Sequence, residues 1–278
     1  MSNLVDIENL RIAFRTDEGG WKEAVRGVSF SLGREKLGIV GESGSGKSLT
    51  GRSLLGVLPS YAKMSADKLS FDGIDLTSAS PRLRRSLRGG RMGMILQDPK
   101  FSLNPVMRVD EQIIEAIRIG DRRMSRRDAT KRAIETLEQV HIREPVRVVS
   151  LYPHELSGGM GQRVMIAMML VREPDLLIAD EPTSALDVTV RTQVMSILDE
   201  LVTRRGMGLI FISHDLKLVS KFCDRVIVMY GGRIVETIAA DRLHEATHPY
   251  TQGLLSCMPT VDGPLEPLPT LQREASWA

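Results

Sequence analysis

Cysteine is scarce in this 278-residue chain, which has only Cys223 and Cys257, far apart and without a C-x-x-C spacing. That excludes a disulfide framework and a cysteine-built zinc site, and it fits a reducing compartment. Charge of one sign is not in excess either: 37 Lys and Arg against 35 Asp and Glu offer no global attraction for nucleic acid. No stretch approaches the roughly 18 consecutive apolar residues that a membrane helix requires, so the chain is not expected to span a bilayer. The first ten residues mix charged and apolar side chains and lack the basic-then-apolar order of a secretion signal. Internal repeats and low-complexity blocks are absent, which implies one copy of a single architecture.

What is present reads as alternating strands and helices. Short strands are expected at Leu4-Val5-Asp6-Ile7, Ile12-Ala13-Phe14 and residues 27–32, with a turn at Asp17-Glu18-Gly19-Gly20; together they predict a small antiparallel sheet. The run Leu37-Gly38-Ile39-Val40 ends in glycines, and helical spacing follows from Lys47 to Leu58, where Pro59 stops it. Residues 110–140 read as charged helix, with Ser125 placed to cap at Asp128. Apolar strands return at 175–180, 208–213 and 225–229, separated by helical segments. Near-continuous apolar strands between helices predict a parallel sheet covered on both faces, hence an α/β core interrupted by a helical insert.

Gly41-Glu42-Ser43-Gly44-Ser45-Gly46-Lys47-Ser48 matches G-x-x-x-x-G-K-[ST] between an expected strand and an expected helix, the context that a P-loop requires. Glycines let the loop wrap until its backbone N–H groups and the helix N-terminus point at a phosphate. Lys47 is then expected to reach the β- and γ-phosphates and the Ser48 hydroxyl to ligate Mg²⁺. Asp180 and Glu181 follow the apolar run 176–179 and so stand at the carboxyl end of a buried strand, where α/β sheets present ligands. Asp180 suits the Mg²⁺ shell, and Glu181 suits orientation or deprotonation of an attacking water.

A P-loop and an acidic strand end also suit a kinase or a GTPase. Leu156-Ser157-Gly158-Gly159-Met160-Gly161-Gln162-Arg163 discriminates: Ser157 and the glycines open the helical run 164–171 and form a second anion site. This segment resembles the signature motif of ATP-binding cassette (ABC) proteins, and the rest of that family's pattern is present in order over nearly the whole chain. The resemblance implies a RecA-like P-loop NTPase core with an N-terminal antiparallel β subdomain (1–98 and 166–240), a helical signature subdomain (99–165) and a C-terminal extension (241–278). It implies that ATP is held by Gly41, Ser43, Gly44, Ser45, Gly46, Lys47, Ser48 and Leu49. Gln97 resembles the glutamine that contacts Mg²⁺ and water, Ser184-Ala185-Leu186-Asp187 the D-loop, and His214 the switch histidine at the γ-phosphate. Phe14 lies where the family places an adenine-stacking aromatic, with Trp21 in competition for that role. Two cassettes, identical or merely related, are implied to pack head to tail, so that Ser157 and Gly159 of one close over the other's nucleotide, and Gly158 and Asp187 are implied as further nucleotide-binding residues.

Ser102-Leu103-Asn104-Pro105, the segment from Tyr152 to Met160, and His248-Pro249-Tyr250-Thr251 resemble the peptide/nickel branch of importers. That branch implies membrane-spanning permease subunits docked near residues 97–105, an extracytoplasmic solute-binding protein, and a peripheral place on the cytoplasmic face of the cell membrane. Many members carry a cysteine-rich, iron–sulfur segment near the C-terminus; with Cys257 alone there, no such cluster is expected, and the tail looks shortened. The basic runs at 82–88 and 122–132 read first as solvated helix faces, and alternatively as contacts to lipid phosphates or acidic permease loops. The rival function, a soluble cassette ATPase acting on nucleic acid or ribosomes, is opposed by the lack of a long coiled coil and of a second cassette.

Overall fold

The computed structural model describes residues 3–97, 102–184, 186–257 and 277. Contacts divide the chain into two compact units, residues 1–80 with 210–278, and residues 81–209.

The first unit opens with β1 (Val5–Arg15) and β2 (Trp21–Leu32), paired antiparallel from Val5 opposite Leu32 to Arg15 opposite Trp21. Two short strands are expected where the structure has one, β1. Val5, Ile7, Leu10 and Ile12 are all buried, yet Ile7 and Leu10 are three residues apart. An irregularity there, with Asn9 at φ 50, adds one residue. The insertion keeps the apolar face turned inward and breaks the period-two pattern that sequence reading depends on. β3 (Lys36–Val40) leads through the glycine loop into α1 (Lys47–Leu55). α1 stops three residues before the expected Leu58, because Gly56 takes the left-handed conformation and its amide, with that of Val57, closes back on Ser53 and Arg52. β4 (Ala62–Ser65), β5 (Lys68–Phe71) and β6 (Ile74–Asp75) complete an antiparallel sheet of order β2-β1-β5-β6, with β4 pairing the far half of β1.

The second unit contains α2 (Pro81–Gly90), β7 (Met92–Ile95), α3 (Val109–Gly120), α4 (Arg126–Gln139), α5 (Pro145–Val148), α6 (Gly158–Leu170), β8 (Leu176–Asp180) and α7 (Val188–Arg205). The helical stretch expected at 110–140 is two helices, separated at Asp121–Met124, and the second starts at the expected cap Ser125, whose hydroxyl accepts from the Asp128 amide at 3.1 Å. α3, α4 and α6 pack together, and the buried Ile113, Ile117, Ala133, Leu137, Val164 and Met165 supply that core. Each large aliphatic side chain buried this way contributes about 1.5–3 kcal/mol. β7 and β8 run parallel, Met92 opposite Leu176, and Arg91 bonds Asp175 at 2.7 Å where both strands begin.

The chain re-enters the first unit through β9 (Gly208–Ile212), followed by α8 (Leu216–Phe222), β10 (Arg225–Tyr230), β11 (Arg233–Ala239) and α9 (Pro249–Ser256). Strand order there is β11-β10-β3-β9, with β10 parallel to β3 and Val228 opposite Val40. Every residue of β9 is buried, as the near-continuous apolar run predicts. A Cβ on Gly38 would come within 2.2 Å of Val219 Cγ1, so the glycine in β3 lets α8 lie close on the sheet. Among the described residues, no helix is long and apolar enough to cross a membrane.

Candidate functional site

The glycine loop is held from both sides. Gly41 has φ 147, and a Cβ there would sit 2.1 Å from the Met229 carbonyl of β10; Gly46 has φ 99, and its Cβ would meet the Ala24 carbonyl of β2 at 2.9 Å. Only glycine passes both points without strain. Gly44, at φ 83, has open space where a side chain would stand, and it is exposed together with Ser43. Lys47 is buried, and its Nζ donates to the carbonyls of Gly41 and Glu42, each at 2.7 Å. Ser45 is buried, and Ser48 and Leu49 are half-buried in the first turn of α1. The N-cap of α1 is Gly46, which offers no side-chain acceptor to the first turn, and the buried Lys47 cation stands at that helix start, an arrangement that fits phosphate oxygens.

The same unit places His214, exposed, just beyond β9, where Asp215 caps α8 by accepting from the Leu218 amide at 2.9 Å. Phe14 is half-buried, with its ring 5.7 Å from that of Tyr61. Trp21 is 44% exposed, and Lys63 Nζ lies 4.0 Å over its ring. Tyr61, 65% exposed, is an aromatic that sequence reading did not single out. Its only signal was an exposed ring after the Pro59 break.

In the second unit, β8 delivers Asp180, buried, and Glu181, half-buried with φ 48. A non-glycine residue in the left-handed region costs on the order of 1–3 kcal/mol and persists only where its surroundings impose it. Here the turn is closed by Ser184, whose hydroxyl donates to the Glu181 carbonyl at 3.2 Å. Gln97 is exposed two residues past β7. Residues 98–101 and Ala185 lie outside the described residues, so part of the anticipated docking segment and one D-loop position do as well.

Ser157 caps α6, its hydroxyl accepting from the Met160 amide at 3.3 Å, and Asp187 caps α7 by accepting from the Val190 amide at 3.0 Å. Both side chains are exposed, as is Gly158. The two helix starts abut: a Cβ on Gly159 would lie 2.6 Å from Val190 Cγ1. An open cavity of about 890 Å³ adjoins them, lined by Ser157, Gly159, Arg143, Arg147 and Arg163 among others. Burial, and then the charge of Arg143, push Arg163 below its ordinary pKa. Gln162, fully buried, donates its side-chain amide to the Pro182 carbonyl and so ties the signature helix to the turn after Glu181. Sequence reading noted Gln162 only as a letter of the motif.

The profile of the ABC transporter family matches residues 25–184. A putative peptide import ATP-binding protein of Brucella abortus (strain 2308) is 48% identical over 271 residues, covering 96% of this chain and 81% of that protein. The oligopeptide transport ATP-binding protein OppD of Bacillus subtilis (strain 168) is 46% identical, covering 94% of this chain and 74% of its own length. Among solved structures, the dimeric ATP-binding cassette MJ0796, in a post-hydrolysis state bound to ADP and Pi, superposes with a TM-score of 0.75 at 26% identity, over 85% of this chain and 98% of that one. The glycine loop, the acidic strand end and the capped signature helix thus occur in a fold that binds nucleotide, and the chain belongs to the ABC transporter family as one of its ATP-hydrolysing cassettes.

Proposed function

We propose that this cassette powers a membrane importer of peptides or related small solutes, among them nickel, seated on the cytoplasmic face of the cell membrane against permease subunits that form the channel. The similarity to peptide and oligopeptide import proteins supports the substrate class, and an extracytoplasmic binding protein completes such a system. The observation that carries the ATPase chemistry is the loop at residues 41–48, closed by Gly41 and Gly46 against backbone carbonyls around a buried Lys47.

In this reading Lys47 exchanges its two loop carbonyls for phosphate oxygens, Glu181 orients or deprotonates the attacking water, and His214 contacts the γ-phosphate. Ser48, Asp180 and Gln97 carry hard oxygen donors of the kind that would hold Mg²⁺, and the ion would supply neutralisation of phosphate charge. Phe14 stacks on adenine, with the more exposed rings of Trp21 and Tyr61 in the same unit as its competitors. Ser157, Gly158, Gly159 and Asp187 serve the nucleotide of a second cassette, and the exposure of Ser157, Gly158 and Asp187 on their own unit supports this. Residues 99–165 act as the signature subdomain, residues 1–98 with 166–240 as the nucleotide core, and residues 241–278 as an extension.

The deciding experiment compares ATP turnover and oligomeric state of the wild type and E181Q, with and without Mg²⁺. Turnover is expected to fall about 10²–10⁴-fold in the variant, while ATP binding persists and the population shifts to a nucleotide-held dimer. Normal turnover in E181Q would remove Glu181 from the role of base.

A further inference from the structure

One contact in the first unit has no part in the chemistry above. The amide of Glu42, the second residue of the glycine loop, donates to the hydroxyl of Tyr250 at 3.0 Å, across 208 positions of sequence. The Gly41 carbonyl belongs to the same peptide plane, and it accepts from Lys47 Nζ at 2.7 Å. Tyr250 and Lys47 therefore grip opposite ends of one peptide unit at the mouth of the loop, and bonds in such a chain polarise one another.

Tyr250 is fully buried, although it lies in the C-terminal extension. Its position is fixed from several directions. α9 is capped by His248, whose Nδ1 accepts from the Tyr250 amide at 3.2 Å. The turn before α9 is held by Glu236 of β11, which accepts from the Thr247 and His248 amides at 2.7 and 3.3 Å. The ring packs 4.5 Å from Tyr230, at the end of β10, and Trp277 stands 6.1 Å from Tyr250 and 6.0 Å from Tyr230. β10 is also the strand whose Met229 carbonyl backs Gly41. The extension and the strand beneath the loop thus meet at one phenol.

We infer that Tyr250 is a positioning residue for nucleotide binding: its hydroxyl sets the Gly41–Glu42 peptide and makes the phosphate loop's geometry depend on the C-terminal extension. It touches no substrate atom, and it acts given that residues 41–48 form the nucleotide loop proposed above. Removing the hydroxyl leaves the Glu42 amide without its acceptor and frees the peptide to turn.

The test titrates fluorescent ADP into the 278-residue chain as wild type, Y250F and K47A, and records the exchange rate of the Glu42 amide proton. Y250F is expected to bind about 3–10-fold more weakly, because a peptide released by the loss of one hydrogen bond must be re-ordered when nucleotide binds, with its melting temperature lowered by a few degrees and the Glu42 amide exchanging faster. In ATP turnover the KM is expected to rise by the same factor while kcat stays within about twofold. Wild-type affinity and wild-type amide exchange in Y250F, with K47A impaired, would overturn the role of Tyr250 and leave the loop reading intact. Wild type and K47A binding equally would instead sink the loop reading, and Tyr250's role with it. Should Y250F fail to fold, W277A replaces it: the phenol remains but its seat is loosened, and weaker ADP binding is again expected, unchanged binding being the overturning result.

Discussion

Glu181 combines a backbone cost with the role proposed for it above. Its left-handed backbone is strained, and the turn that imposes the strain is built from Pro182, Thr183 and Ser184, two of them buried. Glu236 shows a different balance. Burial pushes its pKa up, but hydrogen bonds from the Thr247 amide and hydroxyl and the His248 amide outweigh burial and leave it below the ordinary 4.5. A carboxylate depressed on folding adds stability above its unfolded pKa and loses it as the pH falls through the lower folded value. The attachment of α9 is therefore expected to weaken in acid, below about pH 4.5. Melting curves from pH 7 to pH 3 should show wild type losing stability over this window, while E236Q starts lower at pH 7 and falls less. Parallel curves for the two proteins would contradict this account of Glu236.

At the scale of elements, the approach of α6 and α7 depends on a missing side chain. Gly159 lets Val190 pack into the first turn of the signature helix, and an added methyl would stand 2.6 Å from Val190 Cγ1. G159A is expected to lower stability by about 1–3 kcal/mol through overpacking, and V190A is expected to recover most of the loss by clearing the clash. A denaturant series on the two single variants and the double variant measures the coupling. Additive losses would show that the glycine is needed for some other reason. The caps at Ser157 and Asp187 belong to the same arrangement, since each hydroxyl or carboxylate that starts a helix is also a group expected to face nucleotide. Cap replacement by alanine costs about 1 kcal/mol, so loss of activity at either position must be compared with stability before a binding role is assigned.

For the whole molecule, the informative feature is where the basic runs end up. Read along the chain, residues 82–88 and 122–132 are separate charged faces; in the fold Arg85 and Arg88 of α2 join Arg118, Arg122 and Arg126 around one groove of about 830 Å³. Met107, Ile114 and Ile119 line the same groove, as do Glu111 and Glu115, and Ile119 is largely exposed. Five arginines against two glutamates, set among apolar side chains, fit an amphipathic, acidic segment, and a cytoplasmic stretch of a permease is the partner that suits the proposed function. Reversal of two rim charges, R88E with R122E, is expected to abolish co-purification with the permeases while leaving ATP binding by the cassette intact. Unchanged assembly at physiological salt would move the docking site elsewhere.

The candidate site is legible along the chain without the fold. Residues 41–48, the pair Asp180 and Glu181, and the serine and glycines at 157–159 are local patterns whose spacing carries their physics, and the strands that present them are continuous apolar runs. Two helix starts were equally local: Ser125 and Ser157 sit where a short side chain reaches its own third amide. Whatever depends on contacts distant in sequence emerges with the folded chain alone. The bulge at Asn9 merged two expected strands into one, because the register of β1 is set by β2 and β5. The abutment of Gly159 on Val190, the bond from Gln162 to the Pro182 carbonyl, the arginine groove and the contact of Tyr250 with Glu42 leave no periodic trace, since each joins segments that only folding brings within a few ångströms.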